Sequence, residues 1–462
     1  MAEMVFLWTD ILIFVLLAIV AAFVLVARKR AHLRRPWQTV FKSKVGISTF
    51  IVLMFYVTIG LLDSVHYRPV VSEQSKDNAE LLSVLDLVLS DLRLNQEKTY
   101  SAPLATHLYA RESIEQDDGS TVRDFPRLEF GGAHLTNPQQ QRTVDILLKA
   151  GQGMFAGVVV WTMLALLILI ISWPSSVSIT DHVARFFHNT SDIPWRTALI
   201  TLLLLCLLAG AISNLSFYYH VLGTDKVGED VLYQALKSVR TGLVIGTLTT
   251  LVMLPAAILL GIMAGYFKGW VDDVIQYTYT TLNSIPGVLL IAAAILMMQI
   301  YMSNHEADFN SLVERADMRL LFLCLILGVT SWTGLCRLLR AETLKLSELD
   351  YVQASTAFGV GNFTIILKHI LPNVLHIVLI TVVLDFSGLV LAEAVLSYVN
   401  IGVDPSTNSW GNMINSARLE MAREPVVWWS LSASLFFMFS LVLAANLFSD
   451  VVRDAFDPRL RN

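Results

Sequence analysis

Asp385 interrupts a long apolar run, Val382-Val383-Leu384-Asp385-Phe386-Ser387. A charge at the middle of a membrane span costs roughly 2.5–3.5 kcal/mol on insertion scales, so such a carboxylate must face a partner or a wet cavity. Two chemistries fit it: a pathway residue that meets a solute's ammonium group, or a structural acid bonded to its neighbours. Glu393, in Leu391-Ala392-Glu393-Ala394, lies nearer the end of the same run and carries the same two readings. Pro286 either kinks a helix or hinges a gate. Asp10 sits near the edge of the first apolar run and is expected to reach the lipid headgroups. Trp270, Trp410, Trp428 and Trp429 fit the aromatic belts of a membrane interface.

Nothing else in the chain is arranged for catalysis. No G-x-x-x-x-G-K-[ST], H-E-x-x-H, C-x-x-C or G-x-S-x-G occurs, and the ten histidines are scattered. Cys206, Cys324 and Cys336 each lie in an apolar run and read as small buried hydrophobes. No residue is therefore assigned a catalytic, cofactor-binding or metal role, and the chain is not read as an enzyme.

The elements that must position these residues follow from composition. Of 462 residues, 55% are hydrophobic and only 15% charged, against roughly 25% charged in soluble domains. Disorder and a disulfide scaffold are excluded, and a net charge of −5 gives no hint of nucleic-acid binding. The fold expected is all-α, a polytopic membrane bundle. A span needs about 20 apolar residues, and nine stretches qualify: 5–27, 45–63, 153–173, 196–216, 240–265, 276–302, 319–338, 373–397 and 427–448. The first lacks a basic leader and a small-residue cleavage site, so it reads as a span rather than a signal peptide.

Basic residues in short loops set the orientation. Segment 28–44 holds Arg28, Lys29, Arg30, Arg34, Arg35, Lys42 and Lys44 and no acid, which places it in the cytoplasm and the N-terminus outside. Loop 337–372, with Arg337, Arg340, Lys345 and Lys368, and the C-terminus, with Arg453, Arg459 and Arg461, then fall inside. The polar segment 64–152 falls outside; Leu81, Leu85, Val88 and Leu92 predict an amphipathic helix over Ala79–Leu94, and Asp117-Asp118-Gly119-Ser120 and Phe130-Gly131-Gly132 mark turns. In loop 337–372, Leu344–Ala357 has helical composition, Gly359 and Gly361 break it, and Asn362–Ile370 resumes towards Leu371-Pro372. Such a helix–turn–helix is either a docking element for a soluble partner or an ordinary connector.

At this loop the chain resembles a known family. Tyr351-Val352-Gln353-Ala354-Ser355, Gly359 and Leu371-Pro372 are similar to the Glu-Ala-Ala…Gly…Leu-Pro loop of ABC importer permeases, and Lys368-His369-Ile370-Leu371-Pro372-Asn373 resembles the dipeptide/oligopeptide/nickel branch. Four more segments match that branch in order. They are His220-Val221-Leu222-Gly223-Thr224-Asp225 with Gly228 and Asp230; Ala264-Gly265-Tyr266-Phe267 with Gly269-Trp270-Val271-Asp272; the 391–413 region with Gly402, Pro405 and Ser409-Trp410-Gly411-Asn412-Met413; and Asp457-Pro458-Arg459-Leu460-Arg461. The chain departs from the pattern at Gln353 and Ser355 in the loop motif, at Glu229 where arginine is usual, and at Asn400 where glycine is usual.

The resemblance covers about 220–462. It implies 1–63 as N-terminal spans and basic stretch, 64–152 as an extracytoplasmic segment, 153–219 as additional spans and 220–462 as the permease core. It also implies a bacterial inner-membrane subunit that imports di- or oligopeptides, or else nickel or another small solute. Implied partners are a second homologous permease, two ABC ATPase subunits that carry ATP and magnesium, and an extracytoplasmic solute-binding protein; this chain itself would hold no cofactor. Tyr351, Gln353, Ala354, Ser355, Gly359, Gly361, Leu371 and Pro372 would form the ATPase-coupling loop, with Gly359 letting the chain reverse where a side chain would clash and Pro372 ending the docking segment. His220, Leu222, Gly223, Thr224, Asp225, Gly228 and Asp230 would form the extracytoplasmic motif, and Asp385, Glu393 and Pro286 the translocation pathway. Segment 64–152 would contact a binding protein, contact the partner permease, or stabilise the fold. A self-sufficient channel or secondary transporter is the alternative of a different class; it would call for paired intramembrane charges or inverted repeats, and neither is evident.

Overall fold

A computed structural model describes residues 3–29, 31–68, 81–115, 121–172, 193–305 and 311–456. The turn at Asp117–Ser120, the ending at Asp457–Arg461 and most of loop 174–195 lie outside the described residues. In chain order the elements are β1 (Glu3–Val5), α1 (Trp8–Lys29), α2 (Ala31–Lys42), α3 (Lys44–Asp63), β2 (His66–Arg68), β3 (Leu82–Ser83), α4 (Val84–Val88), α5 (Ser90–Leu94), β4 (Glu112–Glu115), β5 (Thr121–Asp124), α6 (Pro138–Ile171), α7 (Trp195–Ser216), α8 (Val231–Phe267), α9 (Gly269–Ser284), α10 (Gly287–Asn304), α11 (Leu312–Ser347), α12 (Asp350–Ala357), α13 (Asn362–Ile365), a π-turn (Ile366–Ile370), α14 (Leu371–Tyr398), α15 (Trp410–Glu420) and α16 (Trp429–Phe456).

Among the described residues, nine helical stretches are long and apolar enough to cross a membrane, one for each apolar run of the sequence. Several run well past the bilayer. The 36 residues of α11 extend about 54 Å at 1.5 Å per residue, against a hydrocarbon core of about 30 Å. Hydropathy marks only the lipid-facing middle; polar residues with good helix propensity carry the helix on.

Two expected helices are corrected. The 276–302 run is not one helix: α9 ends at Ser284, Ile285 is extended (φ −87°, ψ 130°) and α10 starts after Pro286. Proline has no N–H to donate and pushes the residue before it out of the helical region, so apolar character continues while the helix cannot. Of the expected Ala79–Leu94 helix, residues 79–80 lie outside the described residues, Leu82–Ser83 is a strand, and the rest is two short helices broken at Leu89 (φ −102°, ψ 25°). Its start is set by a capping box, in which Ser83 Oγ accepts from Asp86 N–H at 3.1 Å and Asp86 Oδ2 accepts from Ser83 N–H at 2.8 Å. Leu85 and Leu92 are buried, whereas Val88 is exposed.

The described chain divides into two compact units. The first holds 1–5, 32–241 and 408–451. Here β1, β2 and β3 form a small antiparallel sheet, and β4 and β5 a hairpin. Helices α6 and α7 pack as an antiparallel pair at backbone distance: a Cβ on Gly153 would lie 2.3 Å from Gly210 O, and one on Gly157 2.3 Å from Cys206 O, the small-residue packing that membrane helices use. Helix α3 leans on α7, and Tyr56 Oη donates to Phe437 O of α16 at 3.1 Å. Trp410 and Trp429 are buried here rather than lying in an interface belt; their indole N–H groups donate to Ala235 O (3.1 Å) and Thr224 O (2.9 Å).

The second unit holds 6–31, 242–407 and 452–462. Its core is built by α8, α11 and α14, with Met253, Leu335, Leu339 and Val374 buried in one cluster and Ile245, Leu323 and Leu396 in another. Helix α1 packs on α11. Asp10 is fully buried in this unit, not directed at headgroups, and the adjacent Thr9 donates its N–H to Asp317 Oδ2 at 3.2 Å and its hydroxyl to Asp317 Oδ1.

Candidate functional site

Loop 337–372 is built as a helix, a turn and a second helix, though not with the expected boundaries. Leu344–Ala357 is divided, because α11 stops at Ser347 and α12 starts at Asp350. Pro372 stands in the first turn of the spanning helix, as expected, but the helical path is not interrupted there. The π-turn widens the backbone ahead of it, with Leu371 N–H donating to Ile366 O five residues back, and α14 continues through the proline at its first turn, where no N–H is required.

The turn between α12 and α13 presents apolar side chains to the open: Phe358 is 87% exposed and Phe363 75%. Gly359 has φ +73°, and a Cβ there would meet nothing within 4 Å. The glycine is thus required by the left-handed backbone, not by a clash, which corrects the expected reason. Gly361 is extended. Underneath, Val352, Ile365 and Ile370 are buried in the core cluster with Leu346. Tyr351 Oη accepts from Asn373 Nδ2 at 3.1 Å, and Ser355 Oγ donates to Tyr351 O at 2.8 Å, while Gln353 and Ala354 are exposed and Leu371 half-buried.

The junction between α8 and α9 grips this loop at three places. Arg340 meets Asp272 in a bidentate pair (Nε–Oδ1 2.5 Å, Nη2–Oδ2 2.6 Å). The bound guanidinium holds the Asp272 carboxyl below its usual range against a smaller opposing effect of burial. Lys268 Nζ reaches Glu348 Oε1 at 2.5 Å, and Gln353 Nε2 donates to Glu348 Oε2 at 3.4 Å. Tyr266 Oη donates to Asn362 Oδ1 at 3.1 Å. Gly265 permits the close approach, since a Cβ would lie 2.7 Å from Arg340 O. The Ala264–Asp272 motif and the Tyr351–Pro372 motif, distant in sequence, therefore form one assembly. Gln353 stands where the family motif has glutamate, and Glu348 places a carboxylate beside it.

A second assembly lies in the first unit. His220 Nδ1 is 2.7 Å from Asp230 Oδ2, closing the 220–230 motif on itself. Asp225 Oδ1 accepts from Val227 N–H and Glu229 N–H, and Gly223 and Gly228 take φ +75° and +82°. Leu222 is half-buried. Against this motif runs a stretch of the polar segment that carries no sequence signal for that position. Leu104 N–H donates to His220 O (2.9 Å), Thr224 N–H to Ser101 O (3.1 Å) and Glu97 N–H to Gly228 O (3.0 Å), an antiparallel lacing. Thr224 Oγ1 donates to Thr99 O at 2.9 Å and accepts from Ser101 N–H. The Glu97 side chain accepts from the N–H groups of Glu129, Phe130 and Gly131 and lies 3.4 Å from His220 Nε2. No periodicity or motif could have singled out Glu97.

Burial alone would raise the Glu97 carboxyl, but His220 and the three backbone N–H groups outweigh it and hold it at about 2. Burial likewise opposes a charge on His220, yet Asp230 and Glu97 push it up to about 9. The sign follows by linkage. The histidine contribution is complete below about pH 6.5 and is lost as pH rises through 9; the glutamate contribution is complete above about 4.5 and is lost as pH falls through 2. Thermal stability of the purified chain is expected to fall from pH 6 to 9.5, by roughly 3 kcal/mol. His220→Gln should lower stability at pH 6 and flatten that dependence; an unchanged slope would rule out this pair as its source.

The three pathway residues do not come together. Asp385 lines a cavity of about 360 Å³ between α8, α11 and α14. Glu393 is buried and accepts from Ser397 Oγ at 2.7 Å, beside the turn at Gly402, and is not among the cavity's lining residues. Pro286 is exposed at the α9–α10 break. Asn400 takes φ +61°, so it keeps the left-handed conformation of the glycine it replaces, which asparagine tolerates better than most residues.

Residues 257–462 match the family described as binding-protein-dependent transport system inner membrane component. A glutathione transport system permease protein of Pectobacterium atrosepticum is 31% identical over 243 residues, which is 53% of this chain and 74% of that protein. The oligopeptide transport system permease protein OppC of Haemophilus influenzae is 30% identical, over 53% of this chain and 71% of its own length. The dipeptide transport system permease protein DppC of Lactococcus lactis is 30% identical, over 52% and 64%.

Proposed function

The chain belongs to the binding-protein-dependent inner-membrane transport components, and from that membership we propose that it is one permease subunit of an ATP-driven peptide importer. As a multi-pass membrane protein it supplies the passage, while two ATPase subunits carrying ATP and magnesium supply the energy. A second homologous permease completes the pathway, and an extracytoplasmic binding protein delivers the solute. The basic loops 28–44 and 337–372 face the cytoplasm, the polar segment 64–152 faces outward, and the N-terminus lies outside.

The observation that carries this reading is the exposed apolar turn at Phe358–Phe363, held from beneath by the Arg340–Asp272 and Lys268–Glu348 pairs. A pair of aromatic side chains left in water is an anchor for a partner's groove. Because α13 runs through the π-turn into α14, a displacement of that turn passes into a spanning helix, as alternating access between inward- and outward-open states requires. Substrate class is argued from the relatives, whose names specify glutathione, oligopeptides and dipeptides. Purification from the native membrane in mild detergent tests the reading: ATPase subunits should accompany the chain, and a lone chain that moves solute without nucleotide would overturn it.

A further inference from the structure

Asp385 stands near the middle of α14 and makes no hydrogen bond or ion pair among the described residues. Its carboxylate opens on the 360 Å³ cavity, which is otherwise apolar apart from the hydroxyls of Ser331 and Thr381. Thr381, Asp385 and Gly388 share one face of α14, and Ser331, Gly334 and Leu338 one face of α11, at helical spacing.

Two glycines line the open side of the cavity. Elsewhere in this unit Gly246, Gly261, Gly265 and Gly328 sit where a Cβ would collide with a neighbouring helix at under 3 Å. Gly334 and Gly388 line the cavity, and a Cβ on either would meet nothing within 4 Å. Neither has the positive φ that would call for glycine. Both glycines are exposed on this chain; a glycine inside a helix costs about 1 kcal/mol relative to alanine, and neither packing within the chain nor backbone conformation offsets that cost. What the missing side chains provide is volume.

We propose that this cavity is a passage subsite that receives a solute's primary ammonium group, with Asp385 as its counter-ion and Ser331 and Thr381 as acceptors. The inference rests on the importer reading and deepens it. An ammonium carries three donors, which a carboxylate and two hydroxyls can satisfy. A single carboxylate with two hydroxyls is too poor in ligands for a divalent metal, and no group of metal-ligating side chains occurs among the described residues. The free amino end of a peptide is the matching chemistry.

The test uses the complete complex in proteoliposomes, with the binding protein saturated by either alanylalanine or its N-acetylated form. The native complex should take up the free-amino dipeptide at least about tenfold faster, a factor that one charged hydrogen bond supplies. Asp385→Asn should bring the two rates together by slowing alanylalanine alone, with ATP hydrolysis retained. Gly388→Leu, which fills the volume, should stop both solutes. Undiminished alanylalanine uptake by Asp385→Asn, or an equal loss for both solutes, would overturn the ammonium role; free passage in Gly388→Leu would place the route elsewhere. A native complex that imports neither dipeptide with ATP would instead sink the importer reading, and this subsite with it.

Discussion

Gly359→Trp is expected to strip the ATPase subunits from the complex while leaving the chain folded and inserted. A non-glycine residue in the left-handed region costs about 1–2 kcal/mol, and the position is otherwise unconstrained, since a Cβ meets nothing within 4 Å. The buried supports of the loop, Val352, Ile365 and Ile370, are untouched by the change. What is altered is the docking surface, where an indole would stand between Phe358 and Val360 and fill the space a partner's groove must occupy. Misfit at the centre of an interface costs as much as losing an anchor residue, about 2–4 kcal/mol, or 30- to 1,000-fold in affinity. Phe358→Ala should reach the lower end of that range by removing the anchor itself. Both are read from the ATPase recovered per permease chain; full recovery with both variants would show that the partner docks elsewhere.

Gly228→Val is expected to produce the largest loss of stability in the first unit. Gly228 has φ +82°, and a Cβ there would lie 1.7 Å from the carbonyl oxygen of Glu97. Backbone rather than a flexible side chain is in the way, so relief requires breaking the Glu97 N–H to Gly228 O bond and the lacing beyond it. Strain and lost hydrogen bonds together should exceed about 3 kcal/mol. Glu97→Gln keeps the backbone but removes the charge facing His220, and should cost several kcal/mol for the same unit. Protease susceptibility of residues 81–137 and the thermal midpoint measure both effects. A native-like midpoint in Gly228→Val would mean that the polar segment is not held by this motif.

The transmembrane helices were legible because a bilayer imposes one strong, local rule: about 20 apolar residues in a row. The same rule is blind to a single peptide group. Residues 276–302 satisfy it, yet Pro286 splits them, because hydropathy averages over a window while a proline acts at one peptide group. The helix–glycine–helix design of loop 337–372 was readable from Gly359 and Gly361, but its boundaries were set by packing beneath it and by a π-turn that absorbs Pro372. Least legible were contacts between distant segments. Asp10 looked like a headgroup-facing acid and is buried, and Glu97 carried no signal although it binds three N–H groups and faces His220. Backbone lacing and single buried carboxylates leave no periodic trace in sequence. The Tyr266–Asn362 contact, and Lys268 through Glu348 to Gln353, join two motifs that the family resemblance marks separately.

The composition of the complex purified from its native membrane bears most directly on the central claim, that this chain draws on the energy of soluble partners through the Phe358–Phe363 turn. The expected result is two permease chains and two ATPase subunits in one particle, with ATP hydrolysis stimulated by loaded binding protein and abolished by Gly359→Trp. Recovery of this chain alone, passing solute at an undiminished rate in the absence of nucleotide, would contradict it.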